Sequence, residues 1–487
     1  MRCCSSKSIR SAPAFAFVLA AADAGAHGFG QRFDLPLPLW LWLTGAGATI
    51  VLTFAALALF ARRRPLRAAW RSVDLLQFAA VRRLAHPLAV VLRAVACALF
   101  LLTLATGFFG NPDAYANLSV TMVWVLWWVG LAFCCALVGD LWEVADPLRT
   151  LYRAAARALG GRESLALPWP PWLGSWPAVL LFFGFAWAEL VWQGKDVPRQ
   201  LASLMLGYAM LTWLGMLAFG VEVWRERGDA FALAFRVLGR FAPLALRSSS
   251  AAGPAVLRLR PYAAGLLTDE PVPRSLAAFV LLMLATVTFD GFHQTPLMER
   301  LETAAQTWRP LAEALFALWT SGISETQWLQ TALLLLFPLA FVLIFHAVEA
   351  LARRLAGADA GGAADAMVWS LVPIAVAYHL SHYFTLLLTT GQFIVPLASD
   401  PFGWGWNLFG TRGRAVDLGV VSPAVYWYGA VVLIVAGHVL AVIVAHVEAQ
   451  LHAGSARAAL LGQLPMMALM VAYTCLSLWI MAQPIVG

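Results

Sequence analysis

Stretches of about 20 consecutive apolar residues recur along almost the whole 487-residue chain. A run of that length is what a helix needs to cross the hydrocarbon of a bilayer. Lipid offers no partner to a peptide N–H or C=O, so each run must satisfy its own backbone. An all-α, polytopic transmembrane helical bundle follows. Composition agrees, with 61% of residues hydrophobic and 12% charged, about half the charged share of a soluble domain.

Ten spans are predicted near 38–61, 88–109, 118–139, 175–192, 201–223, 275–292, 326–348, 368–391, 424–447 and 463–482. Arginine orients them. Arg62 to Arg71, Arg82 and Arg83 follow the first span; Arg149, Arg153, Arg157 and Arg162 follow the third. Arg225 to Arg274 follow the fifth, Arg353 and Arg354 the seventh, and Arg457 the ninth. Basic loops stay in the cytoplasm, so both mature termini are expected outside. The net charge of +7 is spread over these short loops as a topology signal, and no nucleic-acid partner is expected. The bilayer itself is the expected partner.

Residues 1–26 read as a cleavable signal peptide: Arg2, Lys7 and Arg10, then "APAFAFVLAAA", then Ala24 and Ala26 at an A-x-A site. The rest, 27–487, reads as one transmembrane domain. Cleavage leaves His27 at the new terminus, where amine and imidazole together form a bidentate pair for copper or nickel; tolerance of the peptidase after the cut is the alternative. Cys97, Cys134, Cys135 and Cys475 lie in spans, so no disulfide framework is indicated. The pair Cys134–Cys135 is either a soft-metal site or small apolar packing.

Three loops carry their own pattern. "GDAFALAFRVLGRF" has an apolar face with Arg236 and Arg240 opposite, and is expected to lie as a helix in the cytoplasmic interface. "LETAAQTWRPLAEALFALW" reads similarly on the outside. "ASDPFGWGWNLFGTRGRAVDLG" is rich in glycine and aromatics and could cap a cavity opening outward. "GDLWEVADPLR" brings Asp140, Glu143 and Asp146 together just inside the membrane, to pair with arginines and cap the next helix.

Ionisable side chains within spans are costly and mark function by default. His379 and His382 stand at i and i+3 on the eighth span, one face of a helix. At ~1.5 Å per residue they lie roughly 12 to 18 Å from its cytoplasmic start. His438 of the ninth span reaches a similar depth, so three imidazoles could converge. Asp290 in "TVTFDGFHQT" and Glu189 in "FAWAELVW" lie near the outer ends of the sixth and fourth spans and are the candidate catalytic carboxylates. Such a set suits a divalent transition metal, with zinc, copper and nickel the candidates. A hydrogen-bonded packing network with Tyr378, Ser381, Tyr383 and Thr385 is the structural alternative. His346, Glu349, His446 and Glu448 form a second group at the cytoplasmic ends.

Several segments resemble a bacterial family of multi-spanning membrane proteins commonly labelled fenitrothion hydrolase. They are "AHGFGQRFDLPLPLWLW", "TVTFDGF", "SLVPIAVAYHLSHYF", "ASDPFGWGWNLFGT" and "MVAYTCLSLWIMAQP". The resemblance spans nearly the whole mature chain and implies a membrane-embedded hydrolase of organophosphorus esters in the bacterial plasma membrane, acting on a small apolar substrate. Metal-dependent chemistry would need His379, His382 and His438 as ligands, with Asp290 as ligand or general base to a metal-bound water. No G-x-S-x-G, P-loop or H-E-x-x-H occurs. The alternatives are transition-metal acquisition or transport, with His27 capturing the ion, and a haem-binding membrane protein using histidines of two spans.

Overall fold

The fold is taken from a computed structural model that describes residues 35, 37–60, 71–161, 163–247, 255–268, 272–310, 312–313, 324–357 and 367–483. The leader and His27 lie outside the described residues. Among the described residues, ten helical runs are long and apolar enough to cross a bilayer.

In chain order the helices are α1 (Leu39–Phe60), α2 (Ala79–Phe109), α3 (Leu118–Leu137), α4 (Pro147–Ala158), α5 (Trp176–Leu190), α6 (Pro198–Phe219), α7 (Val221–Arg227), α8 (Ala230–Phe241), α9 (Arg274–His293), α10 (Pro296–Thr307), α11 (Glu325–Ala356), α12 (Val372–Thr389), α13 (Pro423–His452) and α14 (Ala456–Ala482). All but α4, α7, α8 and α10 are spans. The arginine-rich end of the bundle is termed its inner end. There, three short strands not expected from the sequence, β1 (Val73–Asp74), β2 (Leu244–Arg247) and β3 (Val256–Leu259), pair antiparallel in the order β1-β3-β2. Leu259 is the register partner of both Val73 and Leu244.

Helix α9 is the centre. Every residue from Phe279 to Gly291 is buried, whereas α2 and α11 bury little of their length and face lipid. A helix that is apolar all round can serve in either role. The neighbours of α9 are α5, α11, α12 and α14, and α12 packs in turn on α13. On α13, a Cβ at Gly437 would come within 2.2 Å of Ala377 Cβ, so glycine is what lets α12 and α13 lie so close.

The predicted fifth span runs too far. Helix α6 stops at Phe219, and Gly220 turns the chain at φ +95°. Helix α7 then folds back along α6. The Trp224 ring lies against Gly215 and Gly228, where a Cβ would sit 2.2 Å and 2.5 Å from it.

The segment expected in the cytoplasmic interface is helical, as α8, but it is buried inside the bundle. Its residues from Ala230 to Phe241 are buried apart from Arg236 and Arg240. The helix begins at mid-span depth: its N-cap Asp229 accepts from Phe231 N (2.9 Å), Ala232 N (3.0 Å) and the hydroxyl of Tyr208 (2.8 Å), midway along α6. Phe231 packs edge-on against Trp127 and Phe185, in the middle of α3 and α5. The helix ends at the inner face, where Arg260 donates to the carbonyls of Gly239 (2.9 Å), Arg240 (3.1 Å) and Ala242 (3.2 Å). Helices α7 and α8 thus form a re-entrant hairpin. Non-helical backbone at that depth is tolerated because protein surrounds it. The apolar face assigned to lipid packs instead on α3, α5 and α12, and only Arg236 and Arg240 are left unburied.

Buried ion pairs anchor the hairpin. Arg225 of α7 is 2% exposed and donates to Asp146 (2.9 Å, 0% exposed) and Glu143 (2.9 Å). Asp146 also caps α4 by accepting from Arg149 N (3.1 Å), and Arg149 donates to the Glu143 carboxylate (3.4 Å) and carbonyl. The expectation that these acids pair with arginines and cap the next helix holds for Glu143 and Asp146, while Asp140 accepts from Glu143 N (3.1 Å). Asp140 lies beside them, and burial, followed by the charge of Glu143, pushes its carboxyl up to about 6.

Removing one partner of a buried pair leaves a bare charge, at a cost of about 3–5 kcal/mol. Arg225→Met is therefore expected to lower the melting temperature in detergent sharply, and adding Asp146→Asn should recover part of the loss. Unchanged melting of the single variant would contradict the pairing. Asp140 gives a pH signature. A carboxyl raised on folding stabilises fully below its unfolded pKa of ~3.9, and that contribution is lost as pH rises through about 6. Asp140→Asn should flatten this decline and raise the melting temperature at neutral pH.

Candidate active site

Asp290 sits on the most enclosed of the described spans and is 8% exposed. Two side chains of the neighbouring α12 meet it. His382 Nε2 donates to Asp290 Oδ2 at 2.9 Å, and the Tyr383 hydroxyl donates to the same oxygen at 2.6 Å. A hydroxyl this close to a carboxylate is a short, charge-assisted bond. Gln294, one turn on, adds a longer contact to Oδ1 at 3.4 Å. Adjacent positions on α12 reach one oxygen because α9 and α12 are in direct contact.

The pair is backed by a ring stack. Tyr378, one turn before His382, lies nearly parallel to it at 5.8 Å. The Tyr378 hydroxyl rests against Gly291, where a Cβ would be 2.1 Å away. Glycine beside Asp290 is thus a fitting requirement for the ring that supports His382.

His379 faces elsewhere. Its ring lies 4.7 Å from Tyr383, 5.8 Å from Phe133 and 6.1 Å from Trp128. Its Nε2 is buried and has no hydrogen-bond partner. It lines a narrow crevice together with Glu189, Thr286 and Tyr383. Phe182 of α5 and Leu238 of α8 line the same crevice, so the re-entrant hairpin supplies part of its wall. Trp128 belongs to a π-helical stretch of α3, Thr121–Gly130, a geometry that is rare and frequent at functional sites. About 30 Å³ of the crevice is open to the centres of water molecules, room for roughly two at ~10–15 Å³ each.

The site residues fall into separate settings. Asp290 and His382 are joined directly; Glu189 and His379 share the crevice, linked to that pair through Tyr383. His438 is not with them. It is 1% exposed, its Nδ1 donates to the Ile434 carbonyl at 2.8 Å, and its ring lies 6.0 Å from Tyr473. Among the described residues, no group of three or more His, Cys, Asp or Glu side chains is placed to hold a metal ion. The expected three-imidazole centre is therefore not assembled: His382 Nε2 is spent on Asp290, and depth alone does not fix which way His438 points. The donors present do not fit a resident metal with three protein ligands. A porphyrin between the histidines of α12 and α13 has no space, because Gly437 closes on Ala377.

The inner histidines make local hydrogen bonds, His346 on the exposed side of α11 and His446 in the interior. His346 Nδ1 meets Glu349 at 2.8 Å, and both ring nitrogens of His446 are taken, by Gln463 (3.0 Å) and Gln450 (2.9 Å). The external glycine-rich loop folds on itself, with Asp400 accepting from Trp404 N and Gly405 N. It contributes nothing to the crevice lining. Sequence reasoning missed Trp128 and Leu238; the signal available for Trp128 was a tryptophan pair in mid-span, away from the usual interface. Compared with known proteins, the chain matches no family model, no curated protein and no solved structure.

Gly291→Ala should displace Tyr378 and loosen His382, lowering thermal stability and abolishing any activity that depends on the pair. Tyr378→Phe in that background removes the nearest clash and should restore part of the stability, the Ile480 side chain at 2.9 Å accounting for the rest. Failure of this rescue would show that the contact does not set the site.

Proposed function

We propose that the chain is a membrane-embedded hydrolase of a bacterial plasma membrane, and that it cleaves a small apolar ester reached from the lipid phase. The observation that carries this reading is the shared crevice: Glu189 and His379, whose Nε2 is unpartnered, face one space of water size. A base with a free nitrogen beside a confined water is the minimum for general-base hydrolysis. The resemblance to the fenitrothion hydrolase family suggests the phosphotriester class.

In this reading a water bound between Glu189 and His379 attacks phosphorus, and His379 Nε2 takes its proton. The bond to the aryl oxygen breaks, and the proton passes to the departing oxide. Glu189 orients the water. The Asp290–His382–Tyr383 group holds the Tyr383 ring against His379. The crevice takes the water rather than the ester, so substrate binding requires α3, α5 and α12 to part. The apolar lining from Phe182 and Leu238, together with the satisfied inner histidines, supports a site closed toward the inner end.

Transport of a transition-metal ion is a second reading, favoured by the re-entrant hairpin, since short helices meeting inside the bilayer recur in transporters. Purified protein in nanodiscs should cleave p-nitrophenyl dialkyl phosphates, with His379→Ala and Glu189→Gln each lowering kcat/KM by about 10²–10⁴-fold. Absence of cleavage over a panel of aryl phosphotriesters and carboxylic esters, with uptake of zinc, copper or nickel into proteoliposomes, would replace hydrolysis by transport.

A further inference from the structure

When water adds to an ester, negative charge grows on the ester's double-bonded oxygen, and a fixed donor aimed at that oxygen lowers the barrier. The two hydroxyls lining the crevice are spent: Tyr383 donates to Asp290 at 2.6 Å, and Thr286 to the Met283 carbonyl at 3.1 Å. The indole of Trp128 is not spent. It is 6% exposed, and its Nε1–H is buried without a hydrogen-bond partner. Other buried indoles, such as those of Trp142 and Trp369, also lack a partner. Trp128 differs from them in lining the crevice, where its N–H faces the Glu189 carboxyl without closing a hydrogen bond to it. Four rings hold the indole in place. Phe182 and Phe185 of α5 lie 5.8 Å and 4.7 Å from it, and Phe231 and Phe235 of α8 each lie 6.2 Å away. The His379 ring of α12 meets it edge-on at 6.1 Å. A tryptophan midway along Leu118–Leu137 is far from the headgroup levels where the residue usually collects. Here it brings one N–H beside the base and the carboxyl group.

We infer that Trp128 Nε1–H is the fixed donor to the phosphoryl oxygen of the substrate, and that it makes the site selective for phosphate esters over their phosphorothioate analogues. The selectivity follows from the acceptor. Sulfur accepts a hydrogen bond weakly, so a P=S group in the same place gains little from the indole. No proton is transferred: the N–H stays on the ring, and the contact strengthens as the phosphoryl oxygen gains charge. A donor already held by four rings needs no reorientation as the reaction proceeds. The catalytic part of the inference rests on the hydrolase reading; the preference for an oxygen acceptor rests on the crevice alone.

In nanodiscs, Trp128→Phe should lower kcat/KM for a p-nitrophenyl dialkyl phosphate by about 10²-fold, the usual cost of losing one oxyanion donor. The matched phosphorothioate should lose far less. An equal loss on both esters, or none on the phosphate, overturns the donor role while leaving hydrolysis in place. Should Trp128→Phe fail to fold, 3-benzothienylalanine at position 128 keeps the shape of the indole without its N–H and is judged by the same two esters. If the wild-type protein cleaves no ester, the hydrolase reading fails and the donor is judged by binding. Triethyl phosphate should then raise the melting temperature more than O,O,O-triethyl phosphorothioate, and Trp128→Phe should erase the difference. Equal shifts in the wild-type protein overturn the inference whatever the turnover.

Discussion

The guanidinium of Arg225, held by Asp146 and Glu143, is the interaction on which the interior depends. It ties α7 to the start of α4 inside the protein, where Arg225 and Asp146 are almost wholly shielded from water. With α7 fixed, the chain turns at Gly228 and Asp229, and α8 descends through the middle of the bundle. Without α8 there is no Leu238 wall beside His379, and Trp127 and Trp128 lose the rings of Phe231 and Phe235. A buried ion pair adds little net stability compared with apolar packing. Its contribution here is to choose one path for the chain.

A second constraint acts on the other side of α9. Its own helix gives Asp290 only the long contact from Gln294 (3.4 Å), so its close partners come from a neighbour at short range. The stack of Tyr378 on His382 and the glycine at 291 set that range. The same close packing, carried on by Gly437 against Ala377, turns His438 toward Tyr473 rather than toward His382. One feature, tight contact through small residues, both builds the carboxylate–imidazole pair and keeps the third imidazole out of it.

The spans were legible because bilayer thickness fixes the length of an apolar run, and the acids of "GDLWEVADPLR" were legible because buried carboxylates need cations. Asp290 and His382, singled out by cost alone, are in direct contact. Three things were not legible. The central role of α9 was hidden because helices facing lipid and helices facing protein are equally apolar. The place of α8 was hidden because an amphipathic pattern with two arginines fits an interface as well as a plug with its arginines at the rim. The separation of His438 from His382 was hidden because residue number gives depth along a helix and says nothing of rotation about its axis.

The hairpin has a consequence for how the molecule is made. Residues 220–242 include Arg225 and Asp229 and are broken by a turn, so they lack the continuous apolar length that inserts a segment during synthesis. Yet α8 packs against α12, which emerges from the ribosome more than a hundred residues later. The other walls around α8, α3 and α5, are made before it, so α12 completes a socket that is already partly built. The crevice needs Leu238 of α8 and His379 of α12 together, and is therefore whole only when the later spans are present.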